Sequence, residues 1–586
     1  MALTILTAKL PSGETPVCGV TLEPYVTFRR GDALQPHTAD EVPEEGLGDP
    51  RYSLRFRWYR SVLNRGGAVC WVHPQREATI QCVLCLRTNS DIRTSFHCST
   101  ECFKRHWQQH KESHEQKRLN GIQNGYAPEK NFKHDSTFSN SGETWIEVGK
   151  SRLYTPGEAD IGCVLKCEIE SIDAGSRYDT VTKTFTVSTN RVRPAATPPK
   201  RALVPITPPH QCVREGKFTV LTYNLLADLY ATAEQFTYCQ PWVLSWQYRK
   251  QNIIRELLGY GADILCLQEV QSTHYNDFLA PELEKHGYTA IFKKKTTEIY
   301  TRQNRFAIDG CATFFRKDRF SLVKKYEVEF NKAALSLSEA IPQEQKNAAL
   351  NRLLKDNVAL IAVLEALVPP FPQTSGPDGG DKPNRRQLLC VANTHIHANP
   401  ELNDVKLWQV HTLLKGLEKI AASADIPMLV AGDFNSVPGS AAHDLLTKRS
   451  VEHGHRELQH DPLGILRPSS KLHHQLPLAS AYAAMAGCRD GSTAVQRQQR
   501  RMDNKTREPK FTNIGKDFLG TLDYILYTDN SLVPTAMLEL PEESEVKPRA
   551  TSGLPNETWS SDHIALMSEF AYRPQYDARH SKDERR

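Results

Sequence analysis

From Lys217 onward, apolar runs of strand length repeatedly end in a polar residue. Phe218–Tyr223 leads into Asn224, Asp263–Gln268 into Glu269, Leu388–Thr394 into His395, and Pro427–Gly432 into Asp433. Gly520–Tyr527 holds Asp523 inside an apolar stretch, and Ser561-Asp562-His563 opens the run Ile564–Met567. A continuous apolar run reads as a strand buried on both faces, where an uncompensated polar group is costly. Polar groups placed so regularly at strand ends converge on one crevice along one edge of the sheets. The helical stretch Val405–Leu414 lies between two such strands, which makes this half of the chain α/β. An acid and an amide two residues apart, Asp433 and Asn435, together with a distant Asp562-His563, suit metal-assisted attack of water on a phosphodiester. Asp433 would orient or deprotonate the water, Asn435 would hold it, and His563 would offset charge on the phosphate.

At 586 residues the chain exceeds what one hydrophobic core usually organises, so two or three domains are expected. With 39% hydrophobic and 24% charged residues it is globular, and a net charge of +5 leaves any nucleic-acid affinity to a local patch. No run of eighteen apolar residues occurs, and the N-terminus has no basic segment followed by an apolar core. A cytoplasmic protein, with a nuclear pool left open, is the expectation.

Five of the 14 cysteines fall between Cys70 and Cys102, and several others sit inside apolar runs, as in Ile264-Leu265-Cys266-Leu267. That is metal-site usage plus buried thiols rather than a disulfide framework. The cluster reads Cys70-Trp71-Val72-His73, Cys82-Val83-Leu84-Cys85, His97-Cys98-Ser99-Thr100-Glu101-Cys102, then His106, His110 and His114. Ligands three apart suit a turn and ligands four apart share a helical face, so each pair supplies half a tetrahedral site and two Zn²⁺ ions are implied. This segment resembles a MYND zinc finger. The resemblance assigns Cys70, His73, Cys98 and Cys102 to one zinc and Cys82, Cys85, His110 and His114 to the other. It departs from the family in having histidine at His73 and His114. His106 fits the spacing from Cys102 as a rival ligand, but in the family pattern that position is an exposed helix residue. MYND fingers dock proline-containing peptides, and no basic stripe marks this one as a nucleic-acid reader.

The finger (66–118) interrupts segments of strand character. Residues 1–65 hold Ser53–Arg60, and 119–190 hold Thr144–Val148 and Cys163–Ile169, which together form a small β-rich module read as a sandwich. A proline-rich linker is expected over 191–215, a catalytic domain over 216–572, and a charged tail over 573–586.

Taken together, Tyr223-Asn224, Gln268-Glu269, Asn393-Thr394-His395, Gly432-Asp433-Phe434-Asn435, Leu522-Asp523-Tyr524 and Ser561-Asp562-His563 resemble the ordered motif set of the exonuclease-endonuclease-phosphatase superfamily. The resemblance implies a two-sheet α/β sandwich that uses Mg²⁺, with two ions expected. By that pattern Glu269 and Asn224 would ligate metal, Asp433, Asn435 and Asp562 would complete the metal and water site, and Asp523 would fix the tautomer of a phosphate-contacting His563. Oxygen ligands from carboxylate and amide suit Mg²⁺, and an Asp behind a His commonly orients the ring.

Flanking words narrow the resemblance. Tyr223–Ala227, Leu267–Val270, Ala307–Phe315 and Leu402–Lys406 look like the catalytic domain of carbon catabolite repressor protein 4, the messenger RNA deadenylase, in its plant-type form with a MYND-like finger in place of leucine-rich repeats. Thr521-Leu522-Asp523-Tyr524 stands where phosphoinositide phosphatases carry Trp-Cys-Asp-Arg, which disfavours that branch. The resemblance implies a 3′-to-5′ poly(A)-specific exoribonuclease releasing 5′-AMP, with His395, Pro400 and Phe518 at the terminal adenines, and with the finger contacting the partner deadenylase of a scaffolded complex. For Phe518 the competing expectation is core packing. The basic run Arg497–Arg501 with Lys505 and Arg507 reads equally as an RNA guide or a solvated loop. Alternatives are a phosphodiesterase or phosphatase acting on 2′,5′-oligoadenylate or a dinucleotide, and a catalytically weak zinc-finger adaptor.

Overall fold

The computed structural model describes residues 3–10, 15–30, 37–38, 52–61, 69–78, 80–82, 92–108, 110–111, 136–138, 144–173, 180–206, 216–300, 306–339, 342–367, 387–423, 426–547 and 552–573. Two compact units emerge, Met1–Ala196 and Thr197–Arg586. Among the described residues no helix is long and apolar enough to cross a membrane.

In the first unit, strands Leu3–Lys9, Tyr25–Arg30 and His37–Thr38 form one sheet, and Thr180–Arg191, Val164–Asp173, Tyr52–Ser61, Thr144–Gly149 and Ser136–Phe138 form a second, in that order. Alternation drives the packing: along Tyr52–Ser61, Phe56 and Trp58 turn into the core while Arg55 and Arg57 stay partly exposed. Those side chains meet Ile5, Val26 and Phe28 of the first sheet and Leu165, Cys167 and Ile169 of their own in one cluster. Each such buried side chain contributes roughly 1.5–3 kcal/mol of transfer free energy. The finger lies between Tyr52–Ser61 and Thr144–Gly149, two strands that pair with each other directly, so it emerges from the sheet as an insertion.

The second unit is built from two large sheets. The first runs Leu203–Pro205, Leu532–Leu538, Leu566–Tyr572, Phe218–Asn224, Ile264–Gln271, Asp309–Arg316, Tyr288–Lys294; the second runs Phe320–Glu329, Val358–Ala366, Gln387–His395, Met428–Asp433, Asp523–Thr528, Leu478–Ser480. Val220, Ile264 and Cys266 of the first sheet share a core with Leu360, Val391, Leu429 and Ala431 of the second, so the sheets pack face to face. On the outer faces, Leu221, Tyr223 and Leu265 pack on Ile253, Ile254 and Leu257 of helix Trp246–Tyr260. Likewise Cys390, Ala392 and Val430 pack on Val410, Leu414 and Leu417 of helix Asn403–Ser423. Coverage on both faces is why these strands are apolar without alternation. Helix Trp246–Tyr260 starts at Ser245, whose side chain accepts from the Tyr248 amide, and stops at Gly261 in the left-handed region.

Two parallel pairings bring the polar strand ends together. Asn224 stands opposite Gln268 and His395 opposite Asp433, so both sheets end at the same edge. Between the sheets runs a buried polar seam. Gln268 Nε2 donates to Asn393 Oδ1 (2.8 Å) and Thr222 Oγ1 (3.0 Å), and Asn393 Nδ2 donates to the carbonyls of Ala312 (2.9 Å) and Leu267 (3.2 Å).

The expected linker differs from what is found. Val192 is buried and the Arg193 amide donates to Pro16, while Leu203–Pro205 pairs with Leu538–Ala536 as an edge strand of the catalytic sheet. Proline is tolerated there because an edge strand has one unpaired side. The sheet therefore recruits residues ahead of 216; residues 207–215, and 574–586 of the expected tail, lie outside the described residues. The basic run also departs from a solvated loop. It forms helix Thr493–Arg500, and Arg501, buried, pairs with Glu542 Oε1 (2.8 Å) and Glu539 Oε1 (3.1 Å), leaving it committed to the fold.

Replacing Asn393 by the near-isosteric leucine should strand Gln268 and remove two carbonyl partners, at about 1–3 kcal/mol for each group left unsatisfied. Equilibrium denaturation of Asn393→Leu should show that loss, and unchanged stability would mean the seam is dispensable.

Candidate active site

Asn224 ends its strand at the joint between the two sheets. Its Nδ2 donates to Glu269 Oε1 and to Asp433 Oδ2, both at 3.0 Å, while its Oδ1 accepts from the Leu226 amide. One buried amide thus bridges a carboxylate of each sheet. Glu269 Oε2 accepts from the Ala227 amide (2.9 Å), and Glu269 sits at a bulge with φ of 52°. Asn435 follows Asp433 with φ of 47°; its amide donates to Asp433 Oδ1 (2.9 Å) and its Nδ2 to the Ile396 carbonyl (2.9 Å). Asparagine tolerates that region, whereas for Glu269, as for Leu226 at φ 58°, it costs on the order of 1–3 kcal/mol and persists only because the surroundings impose it.

His563 is buried, with Nδ1 at 2.7 Å from Asp523 Oδ2 and Nε2 at 3.6 Å from Asp433 Oδ2. Thr512 Oγ1 donates to the same Asp523 oxygen (2.6 Å), which fixes the carboxylate behind the ring. Asp562 accepts from Asn513 Nδ2 (3.3 Å), and its other oxygen, Oδ1, is buried without a hydrogen-bond partner. Asp523 Oδ1 and His395 Nδ1 are likewise buried and unpartnered. His395 Nε2 lies 3.6 Å from Asp433 Oδ2, so both imidazoles address one carboxylate oxygen.

The electrostatics follow from crowding. Burial, then the negative charges of Asp562 and Asp309, push Glu269 up to about 6. Burial also raises Asp433, with His563 opposing and Asp523 adding to the rise. Burial alone would depress His563, but Asp523, Asp433 and Asp562 hold it well above the ordinary histidine range. His395 is held well below that range by burial and then by Lys295 and His563. More negative charge is gathered here than the buried cations neutralise. Carboxylate and amide oxygens, two of them unpartnered (Asp562 Oδ1 and Asp523 Oδ1), make a donor set that fits a hard divalent cation. Asp433, Asp523 and His563 present ligand atoms all within 4.8 Å of one another.

The expected binding residues divide. His395 is buried beside Asp433, whereas Pro400 is exposed ahead of helix Asn403–Ser423. Phe518 is 39% exposed in the turn between Asn513–Ile514 and Leu519–Gly520, so the competing core-packing expectation fails. Its ring lies over Gly520, where a Cβ would come within 2.9 Å of Cζ; a side chain there would displace the ring.

Several supporting residues escaped the sequence reading. Arg249, fully buried, donates Nη1 to the carbonyls of Leu226 (2.7 Å), Leu225 (3.1 Å) and Ser560 (3.4 Å), tying the loop after Asn224 to the loop before Asp562. Ser561 Oγ donates to the Asn224 carbonyl (2.6 Å) across the same gap. Lys406 Nζ donates to the Asn435 carbonyl (2.7 Å), and buried Lys295 pairs with Asp309 Oδ2 (2.9 Å). Ser561 lay within a motif but had no role assigned, and for Arg249, Lys406 and Lys295 the only signal was a charged residue beside an apolar run, which is common on any amphipathic surface.

In the finger, His73 Nδ1 lies 3.7, 3.4 and 3.5 Å from the sulfurs of Cys70, Cys98 and Cys102, and the Cys70 and Cys102 sulfurs are 3.6 Å apart. A tetrahedron with metal–ligand bonds near 2.0–2.3 Å has edges of roughly 3.5–3.8 Å, so this group fits zinc. For the second expected site, Cys82 and His110 are buried and Cys85 and His114 lie outside the described residues. His106 is half-buried, with Nδ1 3.0 Å from the Cys102 carbonyl, and so not the fully exposed residue expected. His97, passed over in the sequence, is fully buried with Nδ1 3.7 Å from Cys102 Sγ.

Asp523→Asn keeps shape but removes the charge that orients His563. Hydrolysis at this site should fall roughly 10²–10⁴-fold with the fold retained; a rate within twofold of wild type would remove Asp523 from the machinery.

Comparison with known proteins adds relatives to this geometry. Residues 221–563 match the family model described as the endonuclease/exonuclease/phosphatase family, and residues 68–116 match one described as a MYND-like zinc finger, mRNA-binding. The chain is 48% identical, over a gapped alignment of 609 positions, to carbon catabolite repressor protein 4 homolog 1 of Arabidopsis thaliana, covering 98% of each. It is 32% identical to the CCR4-Not complex 3′-5′-exoribonuclease subunit Ccr4 of Schizosaccharomyces pombe, over 60% of this chain and 49% of that one. A solved 2′,3′-cyclic phosphatase is 27% identical, spans 64% of this chain and 98% of its own, and has a TM-score of 0.46.

Proposed function

Since the chain belongs to the endonuclease/exonuclease/phosphatase family, and within it to the carbon catabolite repressor protein 4 homologs, we propose that it is a Mg²⁺-dependent 3′-to-5′ poly(A)-specific exoribonuclease. It would shorten messenger RNA tails with release of 5′-AMP, as a catalytic subunit of a deadenylase complex. The observation that supports this reading best is the crowd of buried and half-buried carboxylates at the joined strand ends, with Asn224 bridging Glu269 and Asp433 and with Asp562 Oδ1 unpartnered.

Glu269, Asn224, Asp433 and Asp562 would hold Mg²⁺, which when bound supplies Lewis-acid stabilisation of charge on the phosphate oxygens. The chain's own residues do the rest. Asp433 and Asn435 orient the attacking water, with Asp433 as acceptor for its proton. His563, its ring oriented by Asp523, donates to a non-bridging phosphate oxygen, where negative charge grows as the bond breaks. His395 stands beside Asp433 on the neighbouring strand end, within reach of the terminal nucleotide. The exposed ring of Phe518 and the exposed Pro400 offer apolar faces on which an unpaired adenine stacks.

Full-length protein with Mg²⁺ should shorten an oligoadenylate tail one nucleotide at a time, and Asp433→Ala should lose at least roughly 10³-fold of that rate. In the same assay Phe518→Ala should narrow the preference for adenine over cytosine tails. Equal signals from wild type and Asp433→Ala would leave only a binding role. Cleavage confined to 2′,5′-linked or dinucleotide substrates would reassign the enzyme within the family.

The finger has two readings. Position in the chain favours docking of the partner deadenylase through a proline-containing peptide. The family description as mRNA-binding, with Trp71 and Trp107 exposed (39% and 37%) and Trp107 sharing a helix with exposed Lys104 and Arg105, favours RNA. Cys98→Ser, which removes a ligand of the first zinc site, separates them. Loss of partner capture with RNA binding intact supports the peptide reading, and the reverse supports RNA.

A further inference from the structure

The hairpin Tyr288–Lys294 with Asp309–Arg316 does not end where the sheet ends. Regular pairing reaches Lys294 opposite Gly310, the Lys295 amide then donates to the Asp309 carbonyl (2.9 Å), and the ladder resumes with Ile299 opposite Ala307 and Tyr300 opposite Phe306. Asp309–Arg316 runs antiparallel to Ile264–Gln271, so its first residues stand beside Val270 and Gln271. That is the edge at which Asn224 and Glu269 stand. The extension is therefore an arm projecting past the catalytic edge of the first sheet.

The base of the arm is fixed. Lys295 and Asp309, both buried, form an ion pair at 2.9 Å, and Tyr230 donates to the other Asp309 oxygen (3.2 Å). The Ser272 amide donates to the Ile308 carbonyl (2.8 Å), and a Cβ on Gly310 would meet the Lys293 carbonyl at 2.1 Å, so the two strands approach more closely there than a side chain allows.

What the arm carries is unusual for a fixed element. Phe306 (67% exposed) and Tyr300 (59%) are the two most exposed large hydrophobic residues among the described residues. They are cross-strand partners with ring centroids 5.0 Å apart and planes inclined at 61°. Two rings held in water on a paired strand extension serve binding better than folding, since neither buries its face in the core. Lys294, at the foot of the arm, is exposed and adds a cation.

We propose that this arm is a stacking platform for the unpaired bases that lie 5′ of the scissile nucleotide, making it a second subsite for single-stranded RNA. The inference rests on the proposed exoribonuclease reading. An enzyme that removes nucleotides from a 3′ end must hold the remaining chain just outside the site, and the arm stands at that edge. Phe518 sits in a separate turn, between Asn513–Ile514 and Leu519–Gly520, so the two aromatic surfaces come from different segments of the unit. Stacking accepts any base, so the arm would confer length dependence rather than adenine selectivity.

The test compares kcat/KM for an oligoadenylate of about twenty nucleotides with that for the dinucleotide ApA, using the full chain. In Tyr300→Ala/Phe306→Ala the ratio of the two should fall roughly five- to fiftyfold, the loss of about one stacked base. Phe306→Trp, which keeps a ring, should preserve the ratio. A wild-type ratio in the double variant overturns the proposal and leaves the arm to a protein contact; loss of the ratio in Phe306→Trp also counts against stacking. If the double variant fails to fold, Phe306→Ser alone is read in the same way. Binding of labelled oligoadenylate without Mg²⁺ keeps the arm testable apart from catalysis. Weakened binding in the variant supports the platform even if no cleavage is seen, whereas equal binding overturns it; absence of cleavage by the wild type bears only on the exoribonuclease reading.

Discussion

Everything at the catalytic edge depends on how the two sheets of the second unit are registered against each other, and a few buried amides set that register. Gln268 and Asn393 face each other across a largely apolar interface, and their amide N–H groups are committed to each other, Thr222, Leu267 and Ala312, while Gln268 Oε1 stays buried without a partner. Apolar side chains tolerate small slips, because burial is not directional. An amide whose partners are lost in a dry interface is left with its full desolvation cost, so the seam has one satisfactory alignment. One residue past Gln268, and past Tyr223 on the adjacent strand, stand Glu269 and Asn224. The register of the seam therefore brings Asn224 within 3.0 Å of both Glu269 and Asp433.

That placement gathers like charges that would otherwise separate. Glu269, Asp433, Asp523 and Asp562 are drawn together against two histidines, and burial raises the first two carboxyls. The surrounding frame opposes the repulsion. Arg249 bonds three carbonyls from two loops, Ser561 reaches the Asn224 carbonyl, and Lys406 holds the carbonyl of Asn435. Three left-handed residues, Leu226, Glu269 and Asn435, mark where the backbone bends to aim these groups. A site held in this way is organised before a cation or substrate arrives, which limits the reorganisation needed during reaction.

Much of this was legible in the sequence, for a physical reason that differs by residue. Asp433, Asn224 and Glu269 were conspicuous because a charge or amide at the end of a doubly buried strand has few structural excuses. Cys70, His73, Cys98 and Cys102 were legible because ligand spacing encodes a turn or a helical face, and their sulfur and nitrogen atoms do converge. Arg249 and Lys406 were not, since their partners are carbonyl oxygens that every residue carries. The run Arg497–Arg501 was ambiguous because a basic residue looks alike whether it faces solvent, as Arg497 and Arg500 do, or, as at Arg501, two glutamates of the same fold. The linker expectation failed similarly. Proline content predicts stiffness but not that Leu203–Pro205 would find an open sheet edge.

By itself the sequence determined the fold class and marked the polar strand ends and the finger's Cys/His cluster, because periodicity, burial pattern and residue spacing are local properties of the chain. Tertiary structure alone decided that Asn224 bridges two carboxylates from different sheets, that Phe518 faces solvent rather than the core, and that Tyr300 and Phe306 ride on an arm past the catalytic edge. Those outcomes depend on sheet register and on which neighbours cover each ring, and neither is encoded within any short stretch of residues.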